Sequence, residues 1–342
     1  MSQMTLTQDE RIAALRRFGY NAHEAAFLCL AALHGGYFLQ RQIAQYADRC
    51  DERALPTLVE KALAYEHVSV STYAHQTPIY HLCTRPFYAA LGQVDNRNRR
   101  ETRPLTIKAR VMALDFVLAH PDHQFLATEQ EKVSYFTRGR NLDLGALPAK
   151  FYRGTVDTET TTRYFVDKSP IYLTAPHDAE APAPCFCYLD PGATTVSGFE
   201  TYLRQYARLF TALDRFEVIY ISARPLLFAK ARRAFDRCVS KPCGTPATSA
   251  TLIPQRTLAY FDARDRYERG EFQSFDRAAL LRLRDDRQTF SGADHETEYV
   301  RWRANRESVS KANTPVPATI RGTCSTFLLE QNYDLFGTLT AY

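Results

Sequence analysis

The sequence predicts a chain of mixed α+β and α/β class, and three observations carry that expectation. Residues 20–92 read as three helices followed by a hairpin, and residues 106–245 run helix, three strands, helix, strand, helix. The chain after residue 246 is mainly helical in pattern. At 342 residues it has length for two cores, since domains usually run to roughly 100–200 residues.

From Asn21 the chain reads NAHEAAFLCLAALHGG. Asn21-x-x-Glu24 has the form of a capping box, Ala25/Ala26, Leu28/Cys29 and Ala32/Leu33 keep a helical period, and Gly35-Gly36 stops it. A second helix is expected over 39–47 and a third over about 51–65, with Leu55, Leu58, Val59, Ala62 and Leu63 along one side. Residues 68–73 (VSVSTY) alternate apolar and polar, 74–78 turn, and 79–82 return as a second strand. Three helices and a hairpin make a winged helix, so residues 1–92 are expected to be a DNA-contacting domain. Its third helix would offer Arg53, Thr57 and Lys61, opposed by Asp51, Glu52 and Glu60, whose charge works against phosphate. Pro56 also disturbs the first turns of that helix. Arg41 and Gln42 on the second helix and His75 and Gln76 at the hairpin tip complete the candidate set.

Net charge is only +5, from 43 Lys and Arg against 38 Asp and Glu, but it is unevenly placed. Residues 97–110 carry Arg97, Arg99, Arg100, Arg103, Lys108 and Arg110 against Glu101 alone. Residues 93–105 therefore read as a basic, solvated linker placed where phosphate contacts would help a DNA-binding fold.

Beyond it, Ile107, Val111, Leu114 and Leu118 share one helical face, and Thr128-x-x-Glu131 starts another helix. Strands are expected over 161–167, 170–174 and 185–190. Ser197-x-x-Glu200 is expected to box the next helix, whose period is held by Phe199, Leu203, Tyr206, Phe210 and Leu213. Residues 216–222 (FEVIYIS) suit a strand buried on both faces, and 226–239 are again helical.

This order, with the strand ending in Asp190 and the helix bearing Tyr202-Leu-Arg-Gln-Tyr206, resembles the replication-relaxation family of plasmid and mobile-element proteins. Members of that family join a winged helix to a domain resembling PD-(D/E)XK nucleases. The resemblance covers residues 20–240, rests on element order, and implies that 106–245 form a restriction-endonuclease-like domain. Nucleases of that fold place an acid on the second strand and acid-x-Lys on the third, where carboxylates hold the metal and lysine helps activate water. Here the third strand has Cys187-Tyr188-Leu189 and then Asp190, and the second begins Ser169-Pro170-Ile171 without an acid. The domain is accordingly expected to be catalytically degenerate. Were it a Mg²⁺-dependent nuclease, Asp167, Lys168 and Asp190 would carry the chemistry.

Residues 246–342 are expected to be a mainly helical extension, with balanced charge over 254–306 and a terminal helix over 325–337. The eight cysteines are scattered and read as small core residues, and Cys238-x4-Cys243 lacks the second ligand pair that zinc usually wants. His120-Pro-Asp-His123 reads as a helix end and turn, so neither metal nor cofactor is expected. No stretch approaches the ~20 apolar residues of a membrane span, and the charged N-terminal stretch leads us to expect a cytoplasmic protein without membrane contact. The expected partner is double-stranded DNA, a homodimer is left open, and the expected role is non-enzymatic DNA binding in plasmid or mobile-element replication or in transcription. The rival readings are the nuclease above and a protein-interaction module whose winged helix does not touch DNA.

Overall fold

Capping chemistry near the N-terminus defines two helices in contact in this computed structural model, which describes residues 6–50, 57–72, 77–153, 160–174, 182–240, 255–290, 295–300, 302–303, 321–333 and 336. Thr7 and Glu10 cap α1 (Gln8–Arg16) reciprocally. Apolar spacing does not announce this helix, because only Arg11 and Leu15 are buried along it. Asn21 and Glu24 do the same for α2 (Ala22–His34), with both bonds at 2.8 Å. Helix α2 ends at Gly35. Gly36 has φ +78°, and a Cβ there would stand 2.8 Å from the Asn98 carbonyl oxygen and from the Tyr88 hydroxyl. Glycine is needed for both reasons.

Next come β1 (Tyr37–Phe38), α3 (Gln40–Arg49), α4 (Leu58–Ala64), and the antiparallel strands β2 (Val68–Thr72) and β3 (Pro78–Leu82). Their sheet order is β1-β3-β2. Expectations about Arg53, Pro56, His75 and Gln76 lie outside the described residues.

After α5 (Arg85–Ala90) the chain makes a 3-10 turn over Arg97–Arg99. This part of 93–105 is not a solvated linker. The Asn98 side chain is buried and donates to Ala32 O (2.9 Å) and Leu33 O (3.4 Å), while the Asn98 backbone carbonyl accepts from the His81 Nε2 at 2.7 Å. Those bonds occupy the carbonyl ends of α2 that the glycines leave open.

Helix α6 (Pro104–Ala119) explains why no boundary falls here. Leu114 and Leu118 belong to the core beneath α2, whereas Ile107, Val111, Met112 and Phe116 belong to a second core beneath the main sheet. A helix apolar on two faces is packed on two faces. Contacts accordingly place the described residues up to Ser240, with those from 321 onward, in one unit, and the described residues between 255 and 303 in another.

The main sheet is built from β4 (Gln124–Phe125), β7 (Ile171–Leu173), β8 (Pro184–Asp190), β9 (Arg215–Ser222) and β10 (Arg321–Leu328), in the order β10-β9-β8-β7-β4. Strand β7 is antiparallel to both β4 and β8, and β8, β9 and β10 run parallel. Between β4 and β7 lie α7 (Glu129–Ser134) and a separate hairpin, β5 (Ala149–Arg153) with β6 (Thr160–Tyr164). The strand expected over 161–167 therefore pairs outside the main sheet.

Helix α8 (Ser197–Ala212) covers one face with Phe199, Tyr202, Leu203, Tyr206, Leu209 and Phe210. Its expected capping box is absent. Val196 is the cap residue without a side-chain bond, and Ser197 pairs instead with the Thr195 hydroxyl at 2.9 Å. Glu200 is drawn to Arg237 at 2.7 Å and Arg204 at 3.7 Å. Helix α9 (Phe228–Phe235) follows β9.

The expected terminal helix over 325–337 is also corrected. Residues 321–328 extend the sheet beside β9, in register from Arg321 opposite Arg215 to Leu328 opposite Ser222. Gly322 permits this, because a Cβ there would come within 2.6 Å of the Phe216 ring. In the other unit, α10 (Gln255–Glu268), α11 (Arg277–Thr289) and the helical residues 295–300 and 302–303 surround Tyr260, Phe261 and Tyr299. There Arg264 bridges Glu268 and Glu296, consistent with the charge-balanced helical pattern.

Candidate functional site

Arg41 and Gln42 point inward. The Arg41 guanidinium forks onto the fully buried Asp115 carboxylate of α6, at 2.6 and 2.7 Å. Gln42 donates to Val111 O (2.9 Å) and Asp115 Oδ1 (2.8 Å), and its Oε1 accepts from Leu39 N–H. Tyr333 adds a third donor residue to Asp115 at 2.6 Å. Lys61 reaches the buried Glu24 at 2.9 and 3.0 Å. The physical reason is common to all three: a buried carboxylate left unpaired costs several kcal/mol, on the order of 3–5, so nearby donors are recruited to it. Thr57 remains exposed as the residue before α4, with no capping bond.

Of the basic run, Arg100 and Arg103 are exposed, while Arg97 and Arg99 are half-buried. Arg97 lies over the Tyr152 ring of β5 at 4.2 Å, and Lys150 approaches the same ring at 5.7 Å. Such stacking holds a guanidinium in a fixed direction without neutralising it.

The nuclease candidates do not converge. Asp190 is 3% exposed at the end of β8. Its Oδ1 accepts from Gly192 N–H (3.0 Å) and Ala193 N–H (2.6 Å), and its Oδ2 from the Tyr220 hydroxyl (2.7 Å), with Ser222 Oγ at 3.4 Å. Burial and the bond to Asp190 hold the Tyr220 phenol protonated well above its usual range. Asp167 Oδ1 accepts from Ser169 N–H (3.0 Å) and from Tyr206 (3.2 Å). A file of tyrosine rings links the two acids: Tyr206 to Tyr202 at 4.4 Å, Tyr202 to Tyr188 at 5.3 Å, and Tyr188 to Tyr220 at 5.5 Å. Cys187 and Leu189, which stand where the pattern has its acid and lysine, join the apolar core on the α6 side of the sheet. Among the described residues, no three His, Cys, Asp or Glu side chains come together as metal ligands would.

Lys168 is held elsewhere. Its Nζ donates to Asn96 Oδ1 (2.9 Å) and Asn98 Oδ1 (2.7 Å), and its backbone takes the left-handed φ of +58°. Burial first, and then the positive charges of Arg110, Arg163, Arg97 and Lys132, push its pKa down to about 6. Lys132, which sequence reasoning missed, is buried and donates to Ser169 O at 2.7 Å. Its position four residues after the Thr128 cap carries no sign of an inward aim. Asn96 and Asn98 were missed too, although their alternation with arginines in DNRNRR was a readable signal.

Searches among protein-family models, curated proteins and solved structures give no match. Among the described residues no helix is long and apolar enough to cross a membrane.

Proposed function

We propose that the chain is a non-enzymatic DNA-binding protein that joins a winged helix to a degenerate nuclease-like domain, in the manner of the replication-relaxation family. The observation that carries the non-enzymatic part is the use made of Asp190. Both its oxygens are taken up by its own turn and by Tyr220, while Cys187 is a thiol that burial holds protonated and Leu189 has no ligand or proton-transfer group. Water activation by a metal needs carboxylates with open lone pairs. Support for the domain assignments comes from α2, α3, α4 and the β2–β3 hairpin in that order, and from an antiparallel β4-β7-β8 meander crossing through α8 to a parallel β9.

DNA is approached, in this reading, through phosphate contacts by Arg97, Arg99, Arg100 and Arg103, with Lys150 beside them. The protein-interaction reading gains weight from one observation: Arg41, Gln42 and Lys61 are occupied inside the fold. An electrophoretic mobility assay with a short DNA duplex at low and high salt, run beside a Mg²⁺ and Mn²⁺ cleavage assay on supercoiled DNA, separates the readings. Salt-sensitive binding without cleavage is expected. Cleavage abolished by Asp190→Ala would restore the nuclease, and absence of any binding would leave the interaction module.

A further inference from the structure

Four cations from three separate parts of the chain gather where the 97–99 turn meets α6 and the turn after β6. They are Arg97, Arg99, Arg110 and Lys168: Lys168 Nζ bonds Asn96 and Asn98, which flank Arg97, the charges of Arg97 and Arg110 act on it, and Arg99 and Arg110 both act on Tyr88. Among the described residues none of the four is ion-paired to a carboxylate. The neighbouring Arg163 is already neutralised by Glu129 at 2.8 Å. Two of the four carry buried donors without an acceptor, Arg99 Nε and Arg110 Nη1. Buried donors are nearly always bonded, and charged ones are the costliest to leave open.

The surroundings hold these groups in place rather than neutralise them. Asn98 is anchored in the carbonyl end of α2, and with Asn96 it takes two N–H bonds of Lys168; the third N–H, present when the amine is protonated, has no partner among the described residues and is the one a bound anion would engage. A left-handed backbone at a non-glycine residue aims that lysine. Gly35 lets α6 approach, since a Cβ there would meet the Arg110 Cβ at 2.9 Å, and the Arg110 guanidinium lies 5.6 Å from the Tyr37 ring. Arg97 is directed by Tyr152. Each of the four residues remains partly exposed. Burial first, and then the like charges around it, oppose the ammonium form of Lys168.

We infer that Arg97, Arg99, Arg110 and Lys168 form a binding site for a phosphate group. Guanidinium forks and a lysine point charge match its tetrahedral oxygens. The phosphate is either a backbone phosphodiester of DNA or a free phosphate or pyrophosphate. Only the first source rests on the DNA-binding reading above.

The test uses the full chain, isothermal titration with inorganic phosphate and with pyrophosphate, and fluorescence anisotropy with a short DNA duplex. Arg110→Gln and Lys168→Gln are compared with wild type. Glutamine at 168 still offers an amide donor to Asn96 and Asn98, and thermal melting without ligand checks that each variant folds. At least one of the two free anions is expected to bind wild type and raise its Tm, with affinity falling about tenfold or more in each variant, one lost charge-assisted contact being worth about 1.5–3 kcal/mol. If the duplex also binds, is displaced by that anion, and weakens in the same variants, the source is the DNA backbone. A free anion that binds through Arg110 and Lys168 when the duplex does not bind keeps the site and sinks the DNA reading. A duplex that binds both variants as well as wild type, with neither anion binding, overturns the site while the DNA reading stands. No binding of any of the three probes to wild type overturns both.

Discussion

The guanidinium of Arg41 closes on the carboxylate of Asp115 through two bonds of 2.6 and 2.7 Å, tying α3 of the N-terminal helices to α6 behind the main sheet. Because Asp115 is fully buried while Arg41 is about one-third exposed, the two partners are not equivalent. Arg41→Ala leaves the buried Asp115 carboxylate without a counter-charge, so it is expected to cost about 3–5 kcal/mol, and Asp115→Ala, which leaves a guanidinium that water can reach, less. Urea unfolding of both variants measures the difference, and equal losses would contradict the asymmetry.

Asp190 is expected to matter for stability and not for DNA affinity. Asp190→Ala removes the acceptor for two backbone N–H groups and the Tyr220 hydroxyl, at a cost of about 1–3 kcal/mol for the buried donors left open. Melting temperature and duplex affinity measured on the same preparation decide it. A stable variant with lost affinity would move Asp190 into the functional surface.

Salt dependence locates the phosphate contacts. Each contact contributes about 0.9 to the slope of log affinity against log salt, so changing Arg97, Arg99, Arg100 and Arg103 together to Ala is expected to flatten that slope and weaken binding similarly on all sequences. A slope equal to the wild type would leave the run without a DNA role.

Lys168 gives stability a pH dependence of definite sign. Its folded pKa, about 6, lies below the ordinary lysine value of 10.5, so between those values the unfolded chain binds the extra proton. Stability therefore rises as pH increases through that window, and is lowest below the folded pKa, where Lys168 is charged beside Arg110, Arg163, Arg97 and Lys132. The Tm difference between wild type and Lys168→Gln is expected to shift in favour of wild type from pH 6 to pH 9. Parallel curves would show that the lysine is not depressed. A saturating phosphate ligand is expected to reduce the slope by restoring the ammonium.

Much of the fold was legible in local patterns. The Asn21–Glu24 box, the period of α6 and the apolar run of β9 each appear where spacing and capping place them, because those signals act over three or four residues. Ser197–Glu200 has the same local form and failed, since Arg237, far along the chain, offers Glu200 a charged partner that outweighs a cap bond. The site was less legible. Lysines and arginines were visible as a run, but Arg97 and Arg99 separate from Arg100 and Arg103 only once the turn docks on α2.

By itself, then, the sequence determined the mixed class, the order of α2, α3, β2, β3, α6, α7, β7, β8, α8, β9 and α9 though not β1, α5, β4 or β5 between them, and the absence of acid-x-Lys at 187–189. All of these follow from residue type and short-range period. Tertiary structure alone decided that 321–328 complete the main sheet beside β9, that Arg41 and Gln42 serve Asp115, and that Lys168 stands among arginines rather than beside Asp190. These outcomes depend on which buried charges and open sheet edges meet across more than sixty residues of chain, a pairing that no local pattern encodes.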